Sequence, residues 1–169
     1  AGEHDILLFS SAGKSIRFKE SDVRSVGRTA IGVRGIRLAD KDKVVSLIVA
    51  ESDDPILTAT EKGYGKRTQL DEYRAQARGG SGVISIKTSD RNGQVVGAIQ
   101  VTDEDEMMLI SDKGTLVRAR AADVSIIGRN TQGVTLINIA DDEALVSVAK
   151  IAETDDEEGA EEIEITSEE

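Results

Sequence analysis

The stretch ILLFSSAG at residues 6–13 decides the fold, because its pattern occurs twice more along the chain. It recurs as ILTATEKG at residues 56–63 and as MMLISDKG at residues 107–114. The final glycines lie 50 and then 51 residues apart in a chain of 169 residues. A fixed period of this length is the signature of a repeat architecture, and we therefore divide the chain into three units.

Further residues recur in register with each turn glycine. An arginine follows the glycine after four residues and another after fifteen, and a Gly-Val pair begins four residues beyond the second arginine. Unit by unit, these residues are Arg17, Arg28 and Gly32; Arg67, Arg78 and Gly82; and Arg118, Arg129 and Gly133. A glycine at one place in every unit indicates either a positive φ in a turn or a close approach of the backbone to a phosphate, and the sequence leaves both open.

Each unit is predicted to contain four antiparallel strands. The first two form a hairpin across the turn glycine, and the third covers residues such as 32–38 or 82–88. The fourth alternates apolar and small residues, as in VVGAI at 95–99. Four strands in about 50 residues is the size of a propeller blade, which predicts an all-β fold with blades at residues 4–53, 54–103 and 104–152. A β-sandwich of repeated hairpins is the alternative. Because a closed propeller needs roughly 4 to 8 blades, we expect a piece of a larger ring or spiral.

The net charge of −11 arises almost entirely at one end of the chain. Ten of the 32 acidic residues and none of the 21 basic residues fall in residues 153–169, which leaves 22 acidic and 21 basic residues over 1–152. We therefore predict a nearly neutral body followed by a disordered acidic tail at 153–169. Such a tail either competes with a polyanion for a basic surface of the body or serves solubility alone.

Composition excludes several classes of protein. The absence of cysteine rules out disulfide scaffolds and thiolate chemistry. No apolar run approaches the roughly 20 residues of a membrane span and no basic leader opens the chain, so we expect a soluble, cytoplasmic protein. His4 is the one histidine, Thr60 and Arg67 break a phosphate-loop pattern, and Met108 stands where a calcium loop needs glycine. We therefore expect no enzyme activity, no cofactor and no small-molecule substrate.

Basic residues concentrate in the middle of each unit, whereas the joints between units are acidic. Eighteen of the 21 basic residues lie at 14–37, 62–91 and 113–129. Three basic stripes in register indicate a surface for a nucleic-acid backbone. With only two Phe and two Tyr to stack on bases, single strands are disfavoured, and double-stranded DNA bound without sequence preference is the predicted partner. The predicted DNA-binding residues are Lys14, Arg17, Lys19, Arg24, Arg28, Arg34, Lys66, Arg67, Arg74, Arg78, Arg118, Arg120 and Arg129.

Six segments of the chain resemble the C-terminal domain of the DNA gyrase A subunit. They are GKSIRFKE at 13–20, TAIGVRGIRL at 29–38, KVVSLIV at 43–49, ILTATEKGYGKRT at 56–68, GVISIK at 82–87 and GRNTQGV at 128–134. The resemblance covers residues 4 to about 152. It implies a six-bladed β-pinwheel in which neighbouring blades exchange strands, and this chain would supply the last three blades and the variable acidic tail.

The resemblance also implies a function. The basic rim would bend duplex DNA around the domain in a right-handed wrap and support negative supercoiling by an ATP-dependent type II topoisomerase. The domain itself would be non-catalytic. Its partners would be the gyrase B subunit, the rest of the gyrase A subunit, and double-stranded DNA, and it would lie in the cytoplasm at the nucleoid. The family's basic signature box is absent, and QARGGSG at 76–82 echoes it without two basic residues. A propeller-like scaffold for protein partners is the alternative function.

Overall fold

Eleven β-strands and three short 3-10 helices make up the part of the chain that the computed structural model describes, residues 4–23 and 34–152. The predictions that concern Arg24, Arg28, Gly32 and the acidic tail fall outside these residues. The 3-10 helices are Glu20–Asp22, Leu70–Glu72 and Ala121–Asp123. The strands are β1 (Asp5–Ser10), β2 (Lys14–Lys19), β3 (Val44–Ala50), β4 (Ile56–Thr60), β5 (Tyr64–Thr68), β6 (Val83–Ile84), β7 (Val95–Gln100), β8 (Glu106–Ser111), β9 (Leu116–Arg120), β10 (Val134–Thr135) and β11 (Leu145–Lys150).

The strands form three antiparallel sheets whose composition crosses the boundaries between the sequence units. Their strand orders are β3-β1-β2-β6, β10-β5-β4-β7 and β11-β8-β9. Strand β6 of the second unit pairs with β2 of the first, and β10 of the third unit pairs with β5 of the second. Each of the first two sheets is therefore completed by the following unit. The predicted all-β class with four-stranded antiparallel sheets is confirmed.

The third strand of each unit is shorter than the sequence predicts. Of the predicted strand over 82–88, only Val83 and Ile84 are paired as a strand, and the described residues from Arg34 to Leu38 contain none. The N–H groups of Ser85 and Ile86 both point to the carbonyl oxygen of Gly13, at 2.8 and 3.5 Å. Two donors on one acceptor turn the backbone out of the strand ladder, which ends the pairing after two residues.

The turn glycines have the backbone geometry that the hairpin pattern predicts. Gly13, Gly63 and Gly114 have φ values of +86°, +84° and +81°, which side chains with a Cβ rarely adopt. These turns connect β1 to β2, β4 to β5 and β8 to β9. They fix the register in which the hairpin strands pair, for example Leu7 opposite Arg17.

The hydrophobic core lies between successive sheets. Phe9 of the first sheet packs edge-on against Tyr73 of the second unit, with ring centroids 5.7 Å apart. Leu57 of the second sheet packs in a cluster with Met107 and Val124 of the third unit. Strand β7 contacts both β3 and β11, and the Ser46 hydroxyl accepts a hydrogen bond from the Ala98 N–H at 3.0 Å. Strands β3, β7 and β11 therefore lie together on the inner side, while β6 and β10 lie at the outer edges. No helix in the described residues is long and apolar enough to cross a bilayer.

Candidate nucleic-acid interface

Adjacent units meet at the outer edges through backbone hydrogen bonds. The Gly79 N–H donates to Gly35 and the Arg37 N–H donates to Gly80, at 2.6 and 2.7 Å. One unit further on, the Lys87 N–H donates to Thr131 at 2.8 Å. We call the segments at these junctions the outer rim, which comprises residues 34–38, 74–82, 84–88 and 125–133.

The outer rim carries positive charge alone. It contains six basic residues and no aspartate or glutamate. Twelve of the 21 acidic residues of the described chain lie elsewhere, at 40–42, 51–54, 103–106 and 141–143. Glu72 borders the rim, and its carboxylate accepts a hydrogen bond from the Arg129 N–H at 3.3 Å. A strip of positive charge on the surface of a nearly neutral body is typical of a binding site for the backbone of a polyanion. The six basic residues are Arg34, Arg37, Arg74, Arg78, Lys87 and Arg129.

Arg78 and Arg129, at the same position in successive units, each reach back to the unit before. Arg78 Nε donates to the carbonyl oxygen of Asp22 at 3.0 Å, and its Nη1 donates to Arg34 at 3.2 Å. Arg129 Nη1 donates to the carbonyl oxygen of Ile84 at 2.8 Å. A guanidinium has five N–H donors, so each half-buried side chain fixes the junction and retains donors for a phosphate.

The arginines four residues after the turn glycines join each unit to the next. Arg17 Nη1 donates to the carbonyl oxygens of Leu70 and Tyr73, at 3.0 and 3.1 Å. Arg67 Nε donates to Val124 at 2.8 Å. In both cases the acceptor closes the 3-10 helix of the following unit. We call these two side chains the latch arginines.

Acidic side chains complete the binding of the latch arginines. Arg17 Nε donates to Asp5 at 2.6 Å, and Lys19 lies 2.6 Å from the same carboxylate. Burial raises the pKa of Asp5, but hydrogen bonds from Lys19 and Arg17 outweigh it and hold the pKa below its usual value. Arg67 Nη1 pairs with Asp103 at 2.6 Å, and Arg67 is only 5% exposed. The charge of Arg67 is therefore paired inside the protein in this structure, and its predicted contact with DNA stays a prediction.

Lys66 also departs from its predicted place on the surface. The residue is fully buried, and its Nζ donates to the carbonyl oxygens of Gly128 and Arg129, at 2.7 and 2.5 Å, and to the Thr131 hydroxyl at 3.0 Å. Burial lowers the pKa of this amine to about 7, while the nearby Glu72 raises it. Lys66 therefore holds the rim loop that carries Arg129, and its predicted contact with DNA stays a prediction.

The other predicted residues in the described chain lie on the surface. Lys14, Arg34 and Arg74 are exposed and make no side-chain hydrogen bond to another described residue. Lys19 shares Asp5 with Arg17, Arg118 pairs with Glu106, and Arg120 pairs with Asp123 at 3.2 Å. Arg118 and Arg120 lie on β9, away from the rim.

Two rim cations were missed by sequence reasoning. Arg37 and Lys87 are exposed and occupy one position of the repeat, 24 residues after Gly13 and Gly63. In the third unit this position holds Asn138. Extending the register beyond the Gly-Val pair would have identified both.

The family model described as "DNA gyrase C-terminal domain, beta-propeller" matches the chain three times, at residues 4–51, 54–102 and 105–152. The DNA gyrase A subunit of Klebsiella oxytoca is 60% identical over 159 residues, and that of Escherichia coli (strain K12) is 58% identical over 158. Each alignment covers 94% of this chain but only 18% of the relative. The chain therefore spans less than a fifth of the length of these relatives.

Solved structures show the same fold. A DNA gyrase A C-terminal domain superposes with a TM-score of 0.82 at 31% identity, covering 89% of this chain and 51% of that one. A DNA topoisomerase IV C-terminal domain superposes with a TM-score of 0.83 at 27% identity, covering 89% of this chain and 47% of the other. The solved domains therefore contain about twice as much of the fold as this chain.

Proposed function

The chain belongs to the DNA gyrase C-terminal domain family, and on this premise we propose that its outer rim binds duplex DNA and bends it for a type II topoisomerase. The domain acts as a non-catalytic accessory. Its partners are the gyrase B subunit, the rest of the gyrase A subunit, and double-stranded DNA, and its place is the cytoplasm at the nucleoid. The alternative function as a protein-interaction scaffold is not favoured by the family relationship.

One observation carries the proposal: the segments of the outer rim contain six basic residues and no aspartate or glutamate. Arginine guanidinium groups bind phosphate oxygens with fixed geometry. The described rim presents no α-helix that could enter the major groove, so its contacts suit phosphates rather than base edges. Binding without sequence preference follows from this chemistry.

The position of the rim also suits bending. The cations follow the outer edges of successive sheets, and we expect a duplex that follows them from one junction to the next to curve with the rim. Smoothly bending 20–30 base pairs by 40–90° costs about 1–6 kcal/mol, and additional phosphate contacts offset this cost. Sequences that deform easily should therefore bind best, although no base is read.

The proposal is tested by the salt dependence of duplex affinity. The triple variant Arg34→Gln, Arg37→Gln and Arg74→Gln removes three rim charges that hold no junction together. Log affinity plotted against log salt should become less steep by about 0.9 for each phosphate that the variant no longer neutralises. Arg78 and Arg129 are left in place because their loss would also loosen the fold.

The matched control is Lys43→Gln, Lys113→Gln and Lys150→Gln, which removes the same charge from exposed positions off the rim. Its slope should remain that of the original chain. Equal slopes for the rim triple and the control triple would place the DNA elsewhere. Ligation of nicked circles with bound protein tests wrapping itself, and the absence of any trapped linking difference would refute wrapping by this chain.

A further inference from the structure

The turn before the last strand of the second unit is one residue longer than the corresponding turns of the first and third units. In the first and third units, a backbone hydrogen bond that spans three residues closes this turn, whereas in the second unit the closing bond spans four. We call residues 89–93 the long turn. The closing bonds run from N–H to carbonyl oxygen between Asp42 and Ala39, between Glu143 and Ala140, and between Gly93 and Ser89.

Asn92 anchors the long turn to the outer rim. The residue is fully buried, and its Nδ2 donates to the carbonyl oxygens of Lys87 and Gln132, at 2.7 and 3.2 Å. Its Oδ1 accepts a hydrogen bond from the Ser89 N–H at 2.8 Å. Lys87 lies in the rim segment of the second unit and Gln132 in that of the third. The long turn is therefore fixed to the rim at the junction of these two units.

Arg91, next to this anchor, lies over the ring of Tyr64. The central carbon of its guanidinium is 5.3 Å from the ring centroid, and its Nε donates to the Tyr64 hydroxyl at 3.2 Å. A cation–π contact and a hydrogen bond to the same ring together restrict the position of the guanidinium. Lys14 and Thr115 occupy the position of Tyr64 in the other two units, so the second unit alone can form this pair.

The terminal nitrogens of this guanidinium are available to a ligand. Arg91 is exposed, and its Nη1 and Nη2 donate to no residue of the described chain. These donors form a planar fork that matches two oxygens of one phosphate. Two further exposed cations, Lys62 and Lys87, border the long turn. Its acidic neighbours Glu61 and Asp90 form no salt bridge with Arg91 in the described chain.

We propose that Arg91 binds a phosphate group of the duplex and that Tyr64 is the residue that positions it. This inference rests on the proposed function, and it extends the DNA contact from the outer rim onto the long turn. A guanidinium that is already held in place loses less side-chain freedom on binding than a mobile one. Arg91 should therefore bind a phosphate more tightly than an exposed lysine at the same place.

The salt dependence of duplex affinity of the full 169-residue chain separates the charge of Arg91 from its positioning. Arg91→Gln should lower the affinity about fivefold at about 50 mM salt, and the plot of log affinity against log salt should become less steep by about 0.9. Arg91→Lys keeps the charge and should keep the slope, but the affinity should fall about twofold because lysine lacks the planar fork. Tyr64→Thr should act like Arg91→Lys, since it removes the ring and leaves the charge.

The matched control is Lys113→Gln, in the hairpin turn of the third unit. Lys113 holds the repeat position of Lys62, is exposed, and is paired with Asp142. The substitution removes one positive charge away from the rim, and it should leave both the affinity and the slope unchanged. Thermal unfolding of each variant, compared with that of the original chain, checks that the fold is retained.

Directed cleavage of the DNA backbone locates the contact independently of affinity. The chain contains no cysteine, so Asp90→Cys carrying an iron–EDTA label places a single source of hydroxyl radicals beside Arg91. This label should cut the bound duplex. The same label at Asp53→Cys, in the acidic joint between the first two units, should cut it only weakly.

Two results would overturn the proposal. In the first, Arg91→Gln binds like Lys113→Gln and the label at position 90 cuts no more than the label at position 53, which means that no phosphate lies near Arg91. In the second, Arg91→Gln weakens binding but Arg91→Lys and Tyr64→Thr both bind like the original chain, which means that Tyr64 does not position the contact. Failure of the proposed function gives a different result, because the rim triple variant then has the slope of its own control, whatever the Arg91 variants do.

Discussion

Replacing Arg67 by alanine removes the side chain that fastens the second unit to the third. The guanidinium donates to the carbonyl oxygen of Val124 at 2.8 Å in a buried position, and it pairs with Asp103 at 2.6 Å. Its aliphatic stem is buried with it. Arg67→Ala therefore leaves the Val124 carbonyl without this partner and opens a gap at the junction.

The expected loss follows from these contacts. A hydrogen bond from a charged donor contributes about 1.5–3 kcal/mol, whereas the pair with Asp103, whose side chain is 72% exposed, adds less than about 1 kcal/mol. With the packing of the stem, the total is about 3 kcal/mol, or roughly a hundredfold in the folding equilibrium. Arg120→Ala, which removes an exposed arginine paired only with Asp123, should cost less than about 1 kcal/mol.

Urea denaturation and amide hydrogen exchange together measure the effect. Stacked units need not unfold in one step, so a local readout is required beside the global one. The Ile127 N–H donates to the Arg67 carbonyl oxygen at 2.9 Å and reports directly on the junction. Its exchange should accelerate strongly in Arg67→Ala and change little in Arg120→Ala. Equal losses of stability and protection in the two variants would refute the latch role.

Three further predictions concern the buried amine, the rim glycines and the acidic tail. Burial lowers the pKa of Lys66 from 10.5 to about 7, so between these pH values the unfolded chain binds more protons than the folded one. The free energy of unfolding, measured by urea titration, should therefore rise from pH 7 to 9. Lys66→Met should lack this part of the increase. Gly133 has a φ of +81°, and an added Cβ would lie 2.6 Å from the Gly65 carbonyl oxygen. Gly133→Ala should therefore lower the free energy of unfolding, measured by thermal unfolding, by about 1–3 kcal/mol. The folded fraction should still bind duplex DNA, since the glycine serves the turn. Deleting residues 153–169 should raise duplex affinity, most at low salt, and equal affinities at about 50 mM salt would show a tail without a partner on the body.

The repeat register predicted the hairpins and their turn glycines because these features are local. The role of the latch arginines could not be predicted in the same way, because their acceptors are backbone carbonyls more than fifty residues away. Every residue has a backbone carbonyl, so the sequence does not mark which ones accept these hydrogen bonds. Three arginines in register therefore resembled a surface stripe. The burial of Lys66 did leave a signal, because its repeat position holds Ile16 and Val117 in the other units. A lysine among apolar equivalents indicates a buried amine with dedicated acceptors.

Because the outer strands are exchanged between units, the first sheet cannot be completed during synthesis until the second unit has been made. Strand β2 ends at Lys19, but its partner strand ends at Ile84, so sixty-five further residues must be synthesised before the first sheet is complete. At about 5–20 residues per second, the edge of β2 stays open for roughly 3–13 s. An open edge is a template for aggregation, and charged side chains on it are a common protection. Lys14, Arg17 and Lys19 give β2 three positive charges during this interval. These side chains therefore protect the open edge of the nascent chain against aggregation before they make their contacts in the folded domain.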